Sequence, residues 1–543
     1  MVVTADRLRR VLVAAAITAV AFLRVLANPG SLVGRPEGEL RDHAWLAWVF
    51  SREVWSGSSP LESTLGGAPE GMRVYPLDPL HQLIIVLVEP IAGVVSGLNV
   101  QAALSFFALA YGAQKLAAGR GVWIELTMAV LAALSPAFLG AFTDTQTEGM
   151  SAGWLLCFLS ELYGERPRPW RAAAWGAVLL MTGPYLAHGI ALVAVATWLV
   201  RRLPVLPTLP VIALAATLGG AMWFTEFAEG GALTARAEQM RDATRPPRST
   251  PLGVRAPPPL PDTGVVRHLS DYPGASETGP RRAAPWCLGA LVVLALGERR
   301  ARVPATLAAG YALVALGNRW GATQLEFTTP YDLFWRWYPL AHYAWKPAQY
   351  AVPATAFALL AVARGLPSLA GRWRSAGFLL AVGAVIELVA RSPTPLPLPA
   401  SSLVPREVWT ALAPGGRLVE FPCRDRSPPG VPPVSDVLLG PLWHGRALGE
   451  TNRASRGVHL RLLDALERGA AGNPGSSFGA AVQAATDGGF TDLLVLGARL
   501  GEGATRRLDQ ALVATGATPI VAPGGGTAWP DGVVHYRFGT ASR

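Results

Sequence analysis

Runs of about 17–21 apolar residues recur along this chain, and an α-helix of that length spans the hydrocarbon core of a bilayer. The composition agrees, because 51% of the 543 residues are hydrophobic and 15% are charged. A soluble domain carries about 25% charged residues. Inside lipid every backbone polar group needs a partner in the protein, so runs of this kind fold as helices. The sequence therefore predicts a polytopic α-helical membrane protein.

Short basic breaks between the apolar runs predict the orientation, because Arg and Lys collect in cytoplasmic loops. The breaks are 7–10, 115–120, 165–171, 201–202, 298–302 and 363–374. Placing all of them inside predicts about eleven transmembrane helices, with the N-terminus inside and the C-terminus outside. The predicted helices are 11–27, 99–117, 121–141, 149–164, 172–184, 187–200, 208–227, 284–297, 303–317, 347–363 and 375–391.

One apolar run, "LHQLIIVLVEPIAGVVSGL" (80–98), does not fit this path as a crossing. Pro90 interrupts it, and proline breaks helices. We therefore expect a re-entrant or juxtamembrane hairpin on the outer face. The alternative is a twelfth transmembrane helix.

The predicted domain boundary lies near residue 391. Residues 1–391 form the transmembrane domain, with outer loops 28–79, 142–148, 228–283 and 318–346. Beyond a Pro-rich linker, 392–543 predicts a small extracytoplasmic α/β domain: "GGRLVEFPC" (415–423) and "FTDLLVLGARL" (490–500) are typical of strands, and "GVHLRLLDALERG" (457–469) of a helix.

Charge and cysteine content narrow the class further. The net charge of +10 belongs to cytoplasmic loops of a membrane protein, so we expect no nucleic-acid partner. Three cysteines, two of them in apolar runs, imply neither a disulfide framework nor a zinc site. Arginine supplies nearly all the positive charge, which with the abundant Ala, Gly and Pro indicates a GC-rich bacterial genome. The predicted location is the bacterial inner membrane, with the C-terminal domain in the periplasm.

The break "FTDTQTEGM" (142–150) places Asp144 and Glu148 at the outer mouth of two predicted helices. If the second helix begins by Asp144, the four-residue spacing puts both carboxylates on one face. Such oxygen ligands suit a divalent cation, Mg²⁺ or Mn²⁺, that neutralises a phosphate. The structural alternative is a capping box, Thr145-x-x-Glu148, that satisfies free N–H groups at a helix start.

Two further outer segments carry candidate residues. In "GELRDHAWLAWVF" (38–50), Asp42 and His43 precede Trp45 and Trp48 on an expected amphipathic helix at the membrane interface, although a surface Asp is usually only solvated. In "TTPYDLFWRWYPLAHYAWKPAQY" (328–350), aromatic residues surround Asp332, Arg336, His342 and Lys346. They form either an interfacial aromatic belt with snorkelling cations or a platform for a sugar or prenyl phosphate. The Pro- and Arg-rich loop 228–283 is either a lid or disordered.

The order of these features resembles the GT-C superfamily of membrane glycosyltransferases. The resemblance rests on "LRDHAWLAW" after the first apolar run, on "SPAFLGAFTDTQTEGMSAGWLLCFL", and on the hairpin "LLMTGPYLAHGIALVAVATWL" with its outer turn at His188. It covers residues up to about 390 as architecture. It implies transfer of a sugar from a polyprenyl-phosphate-linked donor on the outer face.

The resemblance also implies roles for particular residues. The acid of the first loop, general base or acceptor-orienting group, corresponds to Asp42, with Glu39 as the fallback. The acids of the second loop, metal ligands in some members, correspond to Asp144 and Glu148, although their spacing is D-x-x-x-E. Arg336 or Lys346 corresponds to the phosphate-binding cation. Apart from the resemblance, His188 and His342 are further candidates on the donor side, and the alternative for His188 is that it simply fills the outer turn.

The sequence thus favours an envelope glycosyltransferase whose partners are the lipid bilayer, a polyprenyl-phosphate sugar and a glycan, lipid or protein acceptor. Two rivals stay open. A transporter or flippase for lipid-linked sugars would place charges near the midplane, and Glu89 at an interrupted helix is its best support. A non-catalytic scaffold with the same fold is favoured by the loose acidic spacing.

Overall fold

The chain is described from a computed structural model. The described residues are 5–35, 40–59, 62–63, 65, 72–73, 78–144, 147–165, 167–217, 271–272, 282–283, 286–315, 319–320, 323–324, 330, 333, 347–369, 372–391, 396–403, 407–412, 416–422, 447–448, 457–522, 528–529 and 532–538. They group into two compact units. The helical unit comprises Met1–Leu40, Leu77–Ile84 and Ser96–Ser401, and the mixed unit comprises Arg41–Pro76, Ile85–Val95 and Ser402–Arg543. The domain boundary near 391 stays a prediction.

The fold is mostly helical. The described helices are α1 (Ala5–Ala21), α2 (Leu23–Ala27), α3 (Leu40–Ser56), α4 (Pro79–Leu116), α5 (Val122–Leu134), α6 (Pro136–Asp144), α7 (Ala152–Leu162), α8 (Pro169–Thr182), α9 (Pro184–Val200), α10 (Trp286–Ala295), α11 (Arg299–Ala315), α12 (Ala351–Gly365), α13 (Arg372–Arg391), α14 (Glu407–Ala411), α15 (Gly457–Ala471), α16 (Ser477–Asp487), α17 (Gly497–Leu500) and α18 (Glu502–Ala514). Single 3-10 turns cover Thr147–Ser151, Leu206–Thr208, Pro347–Tyr350 and Leu366–Ser368, and 209–217 is also helical.

The described strands are short, and most form two-stranded pairs. They are β1 (Ser31–Val33), β2 (Glu62–Ser63), β3 (Met72–Arg73), β4 (Asp271–Tyr272), β5 (Arg282–Ala283), β6 (Arg319–Trp320), β7 (Thr323–Gln324), β8 (Ala400–Ser402), β9 (Arg417–Phe421), β10 (Ala447–Leu448), β11 (Phe490–Leu496), β12 (Thr518–Ile520) and β13 (Val533–Arg537). The pairs are β1 with β8, β2 with β3, β4 with β5, and β6 with β7.

Helix α12 lies at the centre of the helical unit. Nearly all of its residues are buried, and its neighbours include α7, α10 and α11. A helix that is apolar on every face, as α12 is over most of its length, is stable only when other helices or lipid surround it. The core around it extends through α4, α5, α6, α7 and α8.

The six basic breaks meet at one end of the helical unit, here called the basic end. Arg9 and Arg10 bind Glu125, which also accepts a hydrogen bond from the backbone N–H of Gly119. Lys115 pairs with Glu161 at 2.8 Å. The remaining breaks are joined by three further sets of contacts. Arg120 and Arg300 both pair with Glu165. Arg120 also donates to the carbonyl of Arg364, and Arg201 donates to the carbonyls of Leu162 and Gly164. These direct contacts bring together the basic breaks, which the sequence predicts to lie on one side of the membrane.

The number of crossings remains a prediction. Among the described residues, three helical segments are long and apolar enough to cross a membrane: Pro79–Leu116, Ala351–Ser368 and Trp373–Ala390. A pair bent by 48° at Ser135, Val122–Leu134 with Pro136–Thr143, is a possible fourth. Shorter apolar helices, among them Gly149–Leu162 and Leu186–Val200, overlap other predicted segments.

Helix α4 corrects the expected break in the run 80–98. The helix continues through Pro90, and its non-helical residue is Gly93, at φ 81° and ψ 166°. Only glycine adopts such a backbone conformation readily. The 38 residues form two helical segments joined at Gly93 rather than one straight helix, because Nε2 of His81 before the kink lies 3.2 Å from the Ser105 hydroxyl beyond it. The bend at Gly93 therefore separates a first segment from the stretch that corresponds to the predicted helix 99–117.

The C-terminal part of the mixed unit contains a five-stranded sheet in the order β10-β9-β11-β13-β12. The strands β9 and β11 are parallel, and β13 runs antiparallel to β11. Helices α15, α16 and α18 pack on this sheet through the apolar residues of their cores. The strands predicted within 415–423 and 490–500 and the helix predicted within 457–469 are therefore confirmed.

His459 on α15 belongs to this core. It is 1% exposed and stacks on Phe490 at 6.0 Å between ring centroids. Burial lowers the pKa of His459 to about 3, so the imidazole is neutral near pH 7. Its role is that of an aromatic core side chain.

Two glycines allow α4 and α7 to pack backbone against backbone. A Cβ on Gly153 would lie 2.5 Å from the carbonyl carbon of Ala108 and even closer to the backbone nitrogen of Leu109. A Cβ on Gly112 would lie 2.8 Å from the carbonyl oxygen of Gly153. Small residues at such crossings permit close helix packing in membranes.

We expect Gly153→Ala to destabilise the protein by about 1–3 kcal/mol or more, because backbone atoms cannot move aside as a side chain can. The measurement is the thermal midpoint of the detergent-solubilised protein, followed by size-exclusion chromatography. Gly289→Ala on α10 is the matched control, since nothing lies within 4 Å of the added methyl group. Equal midpoints for the two variants would contradict the close crossing.

Candidate functional site

The acidic break lies where α6 ends and α7 begins, at the end of the helical unit opposite the basic end. Asp144 is the last residue of α6, and Glu148 lies in the 3-10 turn Thr147–Ser151 that leads into α7. We call this region the acidic end and define it as Ser31–Arg35, Thr143–Ser151 and Thr182–Gly189. Helices α7 and α8 each connect it to the basic end, which is why the two regions lie apart.

This geometry corrects one premise of the sequence argument. The second helix does not begin by Asp144, because α6 ends there and a 3-10 turn starts only at Thr147. Asp144 and Glu148 therefore belong to separate elements rather than to one helix. The side chains of Asp144 and Glu148, and Thr145 with them, lie outside the described residues, so the metal site and the capping box both stay predictions. At the N-cap of α7, the Ser151 hydroxyl makes no capping bond and donates instead to the carbonyl of Thr182 at 2.6 Å.

A buried histidine holds the backbone of the acidic break. His81 is fully buried on α4, and its Nδ1 lies 2.9 Å from the carbonyl oxygen of Thr147. A carbonyl only accepts, so Nδ1 carries the proton. Nε2 then accepts from the Ser105 hydroxyl at 3.2 Å and from the Trp154 indole at 3.4 Å. Gln101 extends the chain by donating to Ser105 at 3.1 Å.

Asp78 completes this network from the start of α4. One oxygen of its buried carboxylate accepts a hydrogen bond from Gln82 at 3.0 Å, and the other lies 3.5 Å from Nδ1 of His81. Polar groups buried among apolar helices are costly unless they are partnered. The residues of this network lie within or beside apolar runs, and that unusual placement was the sequence signal for a network that sequence analysis missed.

The first outer loop starts from the same place. The backbone N–H of Arg35 donates to the carbonyl of Thr143 at 2.7 Å, next to Asp144. Strand β1, which precedes Arg35, is bound by the side chain of Asn99. The Asn99 amide accepts a hydrogen bond from the N–H of Val33 at 3.0 Å and donates one to the carbonyl of Ser31 at 2.8 Å. These contacts thus hold β1 and Arg35 beside the end of α6.

Aromatic packing against α4 fixes the end of α6, where the acidic break begins. Phe142, which precedes Thr143, meets Phe106 of α4 edge to face at 5.2 Å between centroids. Phe106 meets Phe22 in the same way at 6.0 Å. All three rings are buried, so the end of α6 has little freedom to move.

His188 lies near the start of α9 and is half-buried. The neighbouring carbonyl of Gly189 accepts a hydrogen bond from the Tyr311 hydroxyl at 2.8 Å. The ring of Tyr350 packs on Gly189, where an added Cβ would lie 3.5 Å away. Tyr350 ends the 3-10 turn that follows the segment carrying Arg336, His342 and Lys346, three residues that lie outside the described ones. Tyr350 itself lies beside the start of α9, against Gly189, which follows His188 in sequence.

The helix carrying Asp42 exists, but its surroundings differ from the expectation. Asp42 is the third residue of α3, with its side chain outside the described residues, as is the whole of Glu39. Trp45 and Trp48 are 0% and 2% exposed, so they are core residues and not interfacial anchors. Their indole N–H groups are buried without a hydrogen-bond partner among the described residues. No cluster of three or more potential metal ligands occurs in the described part of the chain.

Comparison with solved structures decides the fold. The chain matches the arabinofuranosyltransferase AftD from Mycobacteria with a TM-score of 0.53 and 16% identity, over 98% of this chain and 41% of AftD. The chain has the fold of this arabinofuranosyltransferase. The resemblance stated from the sequence is thereby confirmed at the level of the fold, and this chain spans about two fifths of the length of AftD.

A weaker likeness is to the oligosaccharyltransferase AglB from Archaeoglobus fulgidus, solved with an inhibitory peptide and a dolichol-phosphate. Its TM-score is 0.45 at 12% identity, over 99% of this chain and 74% of AglB. No family model and no curated protein matches the sequence.

We expect His81→Leu to loosen the acidic break, because the substitution removes the histidine donor to the Thr147 carbonyl. Removing one partner of a buried hydrogen bond costs about 1–3 kcal/mol. The measurement is amide hydrogen exchange across 143–151, which should speed up at least tenfold. His81→Asn, whose amide can still donate, is the matched comparison and should exchange more slowly than His81→Leu. Unchanged exchange in His81→Leu would mean that the histidine does not anchor the break.

Proposed function

We propose that the protein is a membrane glycosyltransferase that moves a sugar from a polyprenyl-phosphate-linked donor to an envelope glycan, lipid or protein acceptor. The reaction would take place on the outer face of the bacterial inner membrane. One observation carries the proposal: the acidic end, in a chain with a GT-C fold, joins the acidic break, the first outer loop and the turn of His188 through direct contacts. These are the segments from which the sequence predicts the site.

The chemistry needs a base for the acceptor and charge stabilisation for the departing phosphate. Asp42 would take the proton from the acceptor hydroxyl as that oxygen attacks the anomeric carbon, with Glu39 as the alternative. The bond from that carbon to the phosphate oxygen breaks, and the polyprenyl phosphate leaves with the electron pair. Arg336 or Lys346 would bind its oxygens, since cations placed where negative charge develops lower the barrier.

Asp144 and Glu148 offer a second way to stabilise that charge. Together they would hold a divalent cation, Mg²⁺ or Mn²⁺, which prefers carboxylate oxygens and neutralises phosphate. The anchored backbone on both sides of the break supports this role, because a metal site needs ligands that hold their positions. His188 and His342 would hydrogen-bond the donor from the side of α9.

The sugar is proposed from the structural neighbour alone. AftD is named for arabinofuranosyl transfer, so a polyprenyl-phosphate-linked arabinofuranose is the first donor to test, with hexose and aminopentose donors beside it. The chain covers 41% of AftD, and the acceptor is left open between a glycan, a lipid and a protein.

The distribution of charge weighs against a transporter. In the described helical unit, the buried carboxylates Glu125 and Glu161 are paired at the basic end, and Glu387 accepts hydrogen bonds from the backbone N–H groups of Trp286 and Cys287. Glu89, the best support for transport, lies 3.8 Å from Arg52 within the mixed unit. A transporter would instead place charges near the midplane.

Asp42→Asn should lower transfer by about 10²–10⁴, the usual loss for a general base, while the protein still inserts and elutes as wild type. The measurement is transfer by the purified full chain in lipid vesicles, with radiolabelled polyprenyl-phosphate sugars. Glu502→Gln, an exposed carboxylate at the start of α18, is the control and should keep full activity. Full activity in Asp42→Asn and in Glu39→Gln would remove both from the proposed chemistry.

Glu148→Gln separates the two roles of the acidic break in the same assay. A capping box tolerates the change, because Gln also closes it. A metal ligand does not, so a metal role predicts a loss of at least tenfold together with inhibition of the wild type by EDTA and rescue by Mg²⁺ or Mn²⁺. If the wild type keeps full activity in EDTA and Glu148→Gln keeps full activity as well, Glu148 serves only to cap the helix start.

A further inference from the structure

A cavity of about 850 Å³ opens at the basic end, far from the acidic break. Seven Arg and Lys side chains line it, against three Asp and Glu side chains. It lies between the ends of α1, α4, α7, α8 and α12, each of which contributes at least one cation or carboxylate. The aromatic wall is formed by Tyr111 and Trp175, and Lys115 lies over both rings.

Carboxylates neutralise only part of this positive charge. Arg10 is bound by Glu125, Lys115 by Glu161, and Arg120 by Glu165. The other four cations of the lining are Arg7, Arg168, Arg171 and Arg364. None of these four has a carboxylate within ion-pair distance in the described part of the chain. Since the paired arginines already occupy the nearby acids, the cavity keeps an excess of positive charge.

Arg364 is one of these four cations, and it is partly buried in the cavity wall. Its Nε atom is buried and has no hydrogen-bond partner among the described residues. Nη1 of Arg120 lies 3.3 Å from the carbonyl oxygen of Arg364. The charges of Arg120, Arg201 and Arg300 repel the Arg364 guanidinium, and Glu165 offsets part of this repulsion. Guanidinium groups crowded at low dielectric repel strongly unless an anion lies between them. The planar donors of arginine match phosphate oxygens.

Exposed tryptophans place the cavity at the level of lipid headgroups. Trp123, Trp170 and Trp373 stand at the starts of α5, α8 and α13, at the basic end, and are 79%, 61% and 53% exposed. Tryptophan concentrates at membrane–water interfaces. Basic pockets between membrane helices on the cytoplasmic side bind phosphate headgroups. Leu8 and Leu12 of α1, 53% and 60% exposed beside Arg7, offer an apolar surface for acyl chains.

We propose that this cavity binds the phosphate headgroup of an anionic phospholipid from the cytoplasmic leaflet. Arg168 and Arg171 at the rim and Arg364 inside supply the donors. The lipid bridges helices that carry like charges and so stabilises the basic end. The site is independent of sugar transfer, because it lies at the opposite end of the helical unit from the acidic break.

The test compares lipid binding by two charge-matched variants of the full chain. Arg168→Gln with Arg171→Gln removes the rim of the cavity, and neither arginine forms an ion pair in the described residues. Arg299→Gln with Arg302→Gln removes the same charge from exposed positions of the basic end outside the cavity lining. Native mass spectrometry and thermal midpoints are measured with phosphatidylglycerol, cardiolipin or phosphatidylcholine in the detergent micelles.

The wild type and the Arg299/Arg302 variant should bind the anionic lipids and gain thermal stability from them, and phosphatidylcholine should do neither. The Arg168/Arg171 variant should bind them at least tenfold more weakly, the usual effect of losing a charge-assisted contact. Equal losses in both variants would reduce the effect to general surface charge and overturn the proposal. Inorganic phosphate at millimolar concentration is the second arm. If it binds as well as the lipid or displaces it, the ligand is a soluble phosphate compound and the lipid assignment is wrong.

Discussion

The buried carboxylate of Glu125 organises the basic end of the helical unit. It is 3% exposed, and it binds Arg10 through two hydrogen bonds, Arg9 at 2.6 Å and the backbone N–H of Gly119. Removing one partner of such a buried pair typically costs about 3–5 kcal/mol, because an uncompensated charge remains. These contacts attach α1 to the turn between α4 and α5. The positions of the other basic breaks follow through Lys115 and Arg120.

The acidic end depends on this arrangement through the helices that connect the two ends. The segment of α4 that follows the kink at Gly93 carries Ser105, which contacts His81 beside the acidic break, and Lys115 at the basic end, so polar contacts hold it at both ends. Helix α7 begins directly after Ser151 at the acidic end and carries Glu161 at the basic end, and Gly153 allows it to pack closely against α4. The backbone beside Asp144 and Glu148 is therefore held in place by the packed helices. A catalytic or metal-binding site requires such a rigid support.

Patterns that act over one helix or one loop were readable in the sequence. The apolar runs predicted the helices, and the basic breaks predicted which helix ends lie together. Both predictions depend on the cost of placing each residue in lipid or in water, which is a local property of the sequence. The strands β9 and β11 and the helix α15 were predicted from periodicity for the same reason. Two errors came from tertiary context: α4 passes through Pro90 and bends at Gly93, and Trp45 and Trp48 are buried rather than interfacial. The His81 network was missed because its partners, Ser105 and Thr147, are 24 and 66 residues away in sequence. The roles of Asp42, Arg336 and Lys346 stay predictions.

The central claim is that the two ends of the helical unit face opposite sides of the membrane, with the acidic end outside. Labelling of single cysteines with a membrane-impermeant maleimide tests it most directly, after Cys157, Cys287 and Cys423 have been replaced by Ser. Asn28→Cys and Ala118→Cys introduce the probes at exposed positions beside the acidic and the basic end, respectively. The account predicts that Asn28→Cys reacts in intact spheroplasts and that Ala118→Cys reacts only after the inner membrane is permeabilised. Reaction of Ala118→Cys from outside, or of both probes from one side, would contradict the account.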